Sequence, residues 1–258
     1  MSSTNQLLEA VESAATRAQL VAVVRVLHDR AEKNATIVIR GDESVPVISD
    51  SKLSAVIKSS VEIAMTKGSA AELIEAIDEE GNPVRLAVEI VRPKLELVVF
   101  GAGHVGQAVA LMGAMLGYEV TVIDDREEFA SRKRLPGSGI KLLVSDFNDA
   151  ISKLKLTRST AIVIVTRGHQ YDELCLKQVV TTDAAYIGMI GSRRRVLSVF
   201  KKLIEEGFRE NDLKRVHAPI GLRIGAKTPQ EIAISILAEI IDRLNNPDRN
   251  HGRERNAI

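Results

Sequence analysis

Hydrophobic positions recur along this chain at two periods, and the two alternate. From Leu95 onward, short apolar runs predict strands at Leu97–Phe100, Tyr118–Asp124, Ile140–Val144, Thr160–Val165 and Ala185–Ile190. Between them, apolar residues three and four apart predict helices. Val105, Ala108, Val109, Met112, Met115 and Leu116 form one such face; a short helix is expected near Glu127, and others over Phe147–Leu154 and Gln170–Val180. A further helix carries Val196, Leu197, Phe200, Leu203 and Ile204. The last opens on Thr228-Pro229-Gln230-Glu231, an N-cap, a first-turn proline and a capping-box glutamate, and buries Ile232, Ile236 and Ile240 before Asn245-Asn246-Pro247 ends it. Repeated β-α units imply an α/β fold with a parallel sheet and helices on both faces.

The first third reads differently. A helix is expected over Asn5–Gln19, strands over Leu20–Leu27 and Thr36–Ile39, and a turn at Gly41 and Pro46 beside the weak segment Val45–Ile48. Asp50 is placed to cap a helix with Leu53, Val56, Ile57, Ile63 and Ala64 on its apolar face, closed by Gly68. Ala70–Ile77 is expected to extend or restart that helix. After the turn Glu80-Gly81-Asn82-Pro83, Val84–Val91 alternates as a half-exposed strand. Arg92-Pro93-Lys94 marks a boundary. The expected organisation is a smaller N-terminal α/β domain over 1–93, a main domain over 94–247 and a charged, disordered tail over 248–258.

The run Leu97–Phe100 stops at Gly101-Ala102-Gly103-His104-Val105-Gly106, a G-x-G-x-x-G spacing between strand and helix. Gly101 permits the tight turn, Gly103 lets the backbone approach a pyrophosphate, and Gly106 lets helix and strand pack closely. The acid about 20 residues on, where a ribose hydroxyl is held in such folds, is Asp124, with Asp125 in reserve. Arg126 leaves a 2′-phosphate open, so NAD and NADP both stand. Composition narrows the partners. A formal net charge of +1, 3% aromatics and no tryptophan argue against a nucleic-acid binder. No apolar run approaches membrane-spanning length, and the polar start Met-Ser-Ser-Thr-Asn lacks a signal pattern. A single cysteine, Cys175, rules out an internal disulfide and fits a reducing, cytoplasmic setting.

Ligands of parallel sheets sit beyond the carboxyl ends of the strands, so the residues there are the ones to read. Thr166-Arg167-Gly168-His169-Gln170-Tyr171-Asp172 follows one strand, and Thr166, Arg167 and His169 are candidates to line the crevice; the alternative is a helix cap with solvated neighbours. Gly191-Ser192-Arg193 follows the next. There Ser192 serves as N-cap and Arg193 leans along the apolar face, while Arg195 is expected to point away, making an anion site against the alternative of a solvated basic surface. His217–Lys227 is a proline- and glycine-punctuated loop before the last helix. His104, in the first turn of the glycine helix, is favoured as a neutral imidazole able to touch phosphate or metal. It has no second histidine or cysteine at ligand spacing, so no metal site is expected.

Taken together, V-F-G-A-G-H-V-G at Val99–Gly106, V-I-D-D-R at Val122–Arg126, T-R-G-H-Q-Y-D at Thr166–Asp172, I-G-M-I-G-S-R-R at Ile187–Arg194, A-P-I-G-L-R-I-G-A at Ala218–Ala226 and the Thr228 capping box resemble the C-terminal half of the xanthine dehydrogenase accessory family, XdhC/CoxI. The resemblance covers about Pro93 to Asn245 and implies a Rossmann-like domain. It implies an accessory protein that binds molybdenum cofactor, a molybdopterin, and helps deliver its sulfurated form to an apo molybdenum hydroxylase such as xanthine dehydrogenase, with a cysteine desulfurase as a further partner and a homodimer left open. The pterin phosphate, or the pyrophosphate of a dinucleotide form, suits the same loop and helix starts as NAD. One departure stands out: nothing between Met1 and Pro93 matches the segment G-S-V-S-G-G-C-V-E of many relatives. Cys175, inside a helix pattern, reads as a buried structural thiol rather than its replacement. Two rivals remain open: an NAD(P)-dependent oxidoreductase with His169 and Tyr171 as acid or base and Asp124 on the ribose, and a nucleotide-binding module without chemistry.

Overall fold

The structure is a computed structural model that describes residues 21–28, 35–40, 43–45, 51–67, 71–78, 80–91, 94–137 and 139–246. The expected helix over Asn5–Gln19, the Asp50 cap and the charged tail lie outside the described residues. The chain forms two compact units, 1–93 and 94–258.

In the first unit, β1 (Val21–His28), β2 (Ala35–Arg40), β3 (Glu43–Val45), β4 (Ala71–Ile77) and β5 (Pro83–Val91) make one antiparallel sheet in the order β3-β2-β1-β5-β4. Alternate residues of β5 (Val84, Leu86, Val88 and Ile90) are buried with Leu53, Ile57, Val61 and Ala64 of the one described helix here, α1 (Ser51–Lys67). Ala71–Ile77 is therefore a strand and not a continuation of α1. The turn at Asp78–Asn82, closed by Gly81 at φ +86° and by the Asn82 amide donating to Asp78 Oδ1 at 2.8 Å, folds it back onto β5 with Ile74 opposite Leu86. Ladder pairing across so short a connection outweighs the helix preference of its alanine, leucine and glutamate residues.

In the second unit, β6 (Glu96–Phe100), β7 (Glu119–Asp124), β8 (Ile140–Val144), β9 (Thr160–Ile164), β10 (Tyr186–Met189) and β11 (Val216–His217) form a parallel sheet in the order β11-β10-β9-β6-β7-β8. The chain lays β7 and β8 to one side of β6 and then crosses to build the other, so the order reverses between β6 and β9. Leu97, Val99, Ala161 and Val163 pack with α2 (His104–Met115) and α7 (Pro229–Asn245). Their neighbours Val98, Phe100, Ile162 and Ile164 pack with α3 (Phe147–Ser152), α4 (His169–Val179) and α5 (Arg193–Glu205). Burial on both faces explains why these strands read as continuous apolar runs.

Two short elements, α6 (Glu210–Lys214) and β11, escape pattern reading because neither completes two periods. The helix expected near Glu127 is instead a turn, in which the Phe129 and Ala130 amides share the Arg126 carbonyl at 3.1 Å each. Phe129 is held between side chains rather than on a helix face: the Arg126 and Arg134 guanidinium carbons lie 3.7 and 4.3 Å from its ring centroid. Buried Leu135 anchors the segment to the sheet.

Candidate functional site at the carboxyl edge of the parallel sheet

The three loop glycines do three different things. Gly101 has φ +106°, and a Cβ there would lie 2.4 Å from the Val165 carbonyl oxygen. A Cβ on Gly106 would lie 1.8 Å from the Gly101 carbonyl oxygen. Both positions are dictated by the chain's own packing. Gly103 is not: its φ of −66° suits any residue, and a Cβ there would meet nothing within 4 Å. Gly103 is the N-cap of α2, which has no side-chain cap, so the first amides of that helix face the open space above Gly103. Nothing in the chain's own packing demands a small residue there, and an uncapped helix start of this kind is chemically able to take an anion. His104, the first residue of α2, is exposed beside it.

Asp124 ends β7 and is 1% exposed. Its Oδ2 accepts from the Ala102 amide at 2.8 Å and from Arg126 Nη2 at 3.0 Å; its Oδ1 accepts from Arg126 Nε at 2.8 Å and the Arg126 amide at 3.1 Å. Burial by itself would raise its pKa, but the Arg126 hydrogen bonds and the two amides outweigh that and hold the carboxyl below the ordinary carboxylate range. Asp124 thus ties the glycine loop to β7 and neutralises Arg126, with both oxygens engaged inside the chain. Asp125, one residue on, is half-buried; its Oδ2 accepts from Arg167 Nη2 at 2.7 Å and its Oδ1 has no hydrogen-bond partner.

After β9, Thr166 serves the frame. Its hydroxyl donates to Asp172 Oδ1 at 2.5 Å and its amide to the same oxygen at 3.2 Å. Buried Asp172 also pairs with Arg195 Nη2, joining α4 to α5. Arg195 is therefore the arginine of α5 that leans inward, and Arg193 is exposed, the reverse of the expected orientation. Side chains tilt toward a helix's N-terminus, so the first residue projects past the end of the helix while one two positions later reaches the neighbouring element. Arg167 is exposed, with its guanidinium carbon 4.7 Å from the Tyr171 ring centroid and Nη2 donating to the Tyr171 hydroxyl at 2.8 Å. His169 is the first residue of α4, whose N-cap, Gly168, also provides no side-chain cap. Cys175 in the same helix is fully buried, and burial, with the Asp172 and Asp146 charges adding, pushes its thiol pKa well up.

The strand order decides which of these groups meet. Because β6 lies between β7 and β9, the glycine loop, Asp124 and Asp125, and Thr166 and Arg167 converge. Gly191, Ser192 and Arg193 follow β10, two strands and roughly 10 Å from β6. Ser192 Oγ there accepts from the Arg195 amide at 3.3 Å, so that helix start is closed by its own residue.

Sequence reading passed over Glu239. On α7, fully buried, it accepts from the Tyr186 hydroxyl and the Gly221 amide at 2.7 Å each, and His217 stacks on Tyr186 with centroids 4.6 Å apart. The available signal was an acid one position before Ile240 in the apolar stripe of α7. Glu239 pins the loop after β11, where a cavity of about 390 Å³ is lined by residues 219–226, Ile232 and Ser235.

Comparison with known proteins places this arrangement. The family model described as the XdhC Rossmann domain matches residues 97–240. Uncharacterized protein YqeB of Escherichia coli strain K12 is 37% identical over 163 residues, 63% of this chain and 29% of that protein. A Bacillus subtilis strain 168 protein described as a probable xanthine dehydrogenase subunit is 29% identical over 60% of this chain and 44% of its own. The molybdenum cofactor insertion chaperone PaoD of E. coli K12 is 25% identical over 58% and 40%. The matches span less than half the length of each relative. A crystal structure of a xanthine dehydrogenase from Bacillus halodurans shares the fold at TM-score 0.55 and 17% identity, covering 98% of both chains. With its parallel sheet, its glycine loop and a family match over more than half its length, the chain belongs to the XdhC Rossmann domain family.

Proposed function

We propose that this chain is an accessory protein in the maturation of a molybdenum hydroxylase, and that it binds a molybdopterin-type cofactor through its phosphate or pyrophosphate at the loop Gly101–Gly106. The open space over Gly103 at the uncapped start of α2 carries the reading, because the chain itself has no need of glycine there. The names of the relatives support the hydroxylase connection, since one is called a molybdenum cofactor insertion chaperone and another a probable xanthine dehydrogenase subunit. When bound, the cofactor brings its own redox-active metal; the chain's part is to hold the phosphate on the amides of Gly103 and His104 and to offer Arg167 as counter-charge. Delivery to the apoenzyme completes the role.

The strand order equally suits a nucleotide, which keeps NAD(P) as the second reading. Against a dehydrogenase of the usual kind, Asp124 has both oxygens engaged and is poorly placed to accept from a ribose. Calorimetric titration of the purified chain with molybdopterin, its dinucleotide form, NAD, NADP and AMP separates the two. Saturable binding of a molybdopterin form, with faster activation of an apo-hydroxylase, is the expected result. Tight NAD binding with turnover of an alcohol or aldehyde would replace it, and no effect on apo-hydroxylase activation would remove it.

A further inference from the structure

The Arg167–Asp125 ion pair joins the residues following β9 and β7, the two strands that flank β6. It therefore crosses the carboxyl end of β6, where the glycine loop opens. Every other charge described at these three strand ends is committed more deeply: Arg126 is bound to buried Asp124, and Asp172 to Thr166 and Arg195. The crossing pair is the exception, with side chains 38% and 27% exposed; Asp125 Oδ1 is buried without a hydrogen bond, 3.9 Å from Arg126 Nε. A phosphate approaching the start of α2 meets a carboxylate placed beside the arginine it needs.

We propose that Asp125 is a built-in competitor for the phosphate subsite, and that binding of a pyrophosphate-bearing molecule transfers Arg167 from Asp125 to the ligand. This rests on the reading of the glycine loop as a phosphate cradle. The exchange is favourable because a phosphate presents more charge and two acceptor oxygens to a guanidinium already steered by Tyr171, while Asp125 offers it one oxygen in a partly exposed pair. No covalent change is involved. The consequence is selectivity: weak monoanions fail to displace Asp125, and groups as charged as a pyrophosphate succeed.

The test is calorimetry of the full chain with inorganic pyrophosphate at low salt, on the parent, Asp125→Asn, Arg167→Ala and the double variant, with circular dichroism confirming that each is folded. Asp125→Asn is expected to bind about fivefold tighter and Arg167→Ala about fivefold weaker or less. The double variant is expected to match Arg167→Ala, because Asp125 acts through Arg167. Unchanged or weaker binding by Asp125→Asn, a gain that persists in the double variant, or no pyrophosphate binding by either parent or Asp125→Asn would each overturn the exchange. Molybdopterin binding that ignores both substitutions would overturn it while leaving the proposed function standing. The expected pyrophosphate pattern without any molybdopterin binding would do the opposite.

Discussion

Among the described residues, five helices of the second unit begin at the carboxyl edge of the parallel sheet, and they begin in two ways. Three are closed by their own side chains: α3 by Asp146, α5 by Ser192 and α7 by Thr228 with a reciprocal Glu231. The other two, α2 and α4, start on glycine with no side-chain cap. These two follow β6 and β9, the strands on either side of the point where the sheet order reverses. Uncapped amides cost stability unless something satisfies them, so along this edge of the sheet the chain has left undone at the reversal what it completed at the other helix starts. The difference supports the proposed phosphate site more directly than the glycine spacing does.

The largest effect is expected where the glycine is structural. Gly106→Ala puts a methyl group 1.8 Å from a backbone oxygen and should cost about 3 kcal/mol or more, read as loss of the cooperative thermal transition of this unit. Next is Asp124→Asn, which leaves Arg126 without its charge partner. A loss of about 2 kcal/mol is expected by denaturant titration. Because the folded carboxyl sits below its ordinary value, its contribution is present above about pH 4 and disappears as pH falls through the lowered pKa; the variant should therefore be less sensitive than the parent on the acid side. A variant with the same acid limb as the parent would count against this linkage. Thr228→Ala removes an ordinary cap and should cost about 1 kcal/mol without touching ligand binding.

The smallest effect on stability is the most informative. Gly103→Ser supplies the cap α2 lacks, and with a backbone already in the N-cap range it should stabilise by a few tenths of a kcal/mol, about 1 °C in Tm. Pyrophosphate and cofactor binding should be lost, because the side chain fills the cradle. A destabilised Gly103→Ser, or one that still binds, would show that the bare helix start has another cause.

Much of this is legible in the amino-acid sequence alone. Parallel strands buried on both faces announce themselves as apolar runs, and the spacing of Gly101, Gly103 and Gly106 identified the turn. What pattern reading lost was decided by contacts distant in sequence. Ala71–Ile77 has a helix-compatible composition, and only pairing with β5 makes it a strand. The engagement of both Asp124 oxygens depends on the direction Arg126 takes around Phe129, which no spacing rule contains. The orientations of Arg193 and Arg195 are the reverse of the expected ones because Arg195 finds buried Asp172 on the neighbouring helix, a partner no spacing along α5 reveals. The buried role of Glu239 needed Tyr186 and Gly221, 53 and 18 residues away, to become visible.

With the Gly101 carbonyl oxygen occupying the place a Cβ on Gly106 would take, there is no slack at the mouth of the first β-α unit of the parallel sheet. A rigid aperture cannot be retuned by small substitutions, so under the proposed function any change of ligand is met at its periphery, in the tails that follow β7 and β9. Drift in preference among relatives should therefore surface around positions 125 and 167, while the opening itself stays the same.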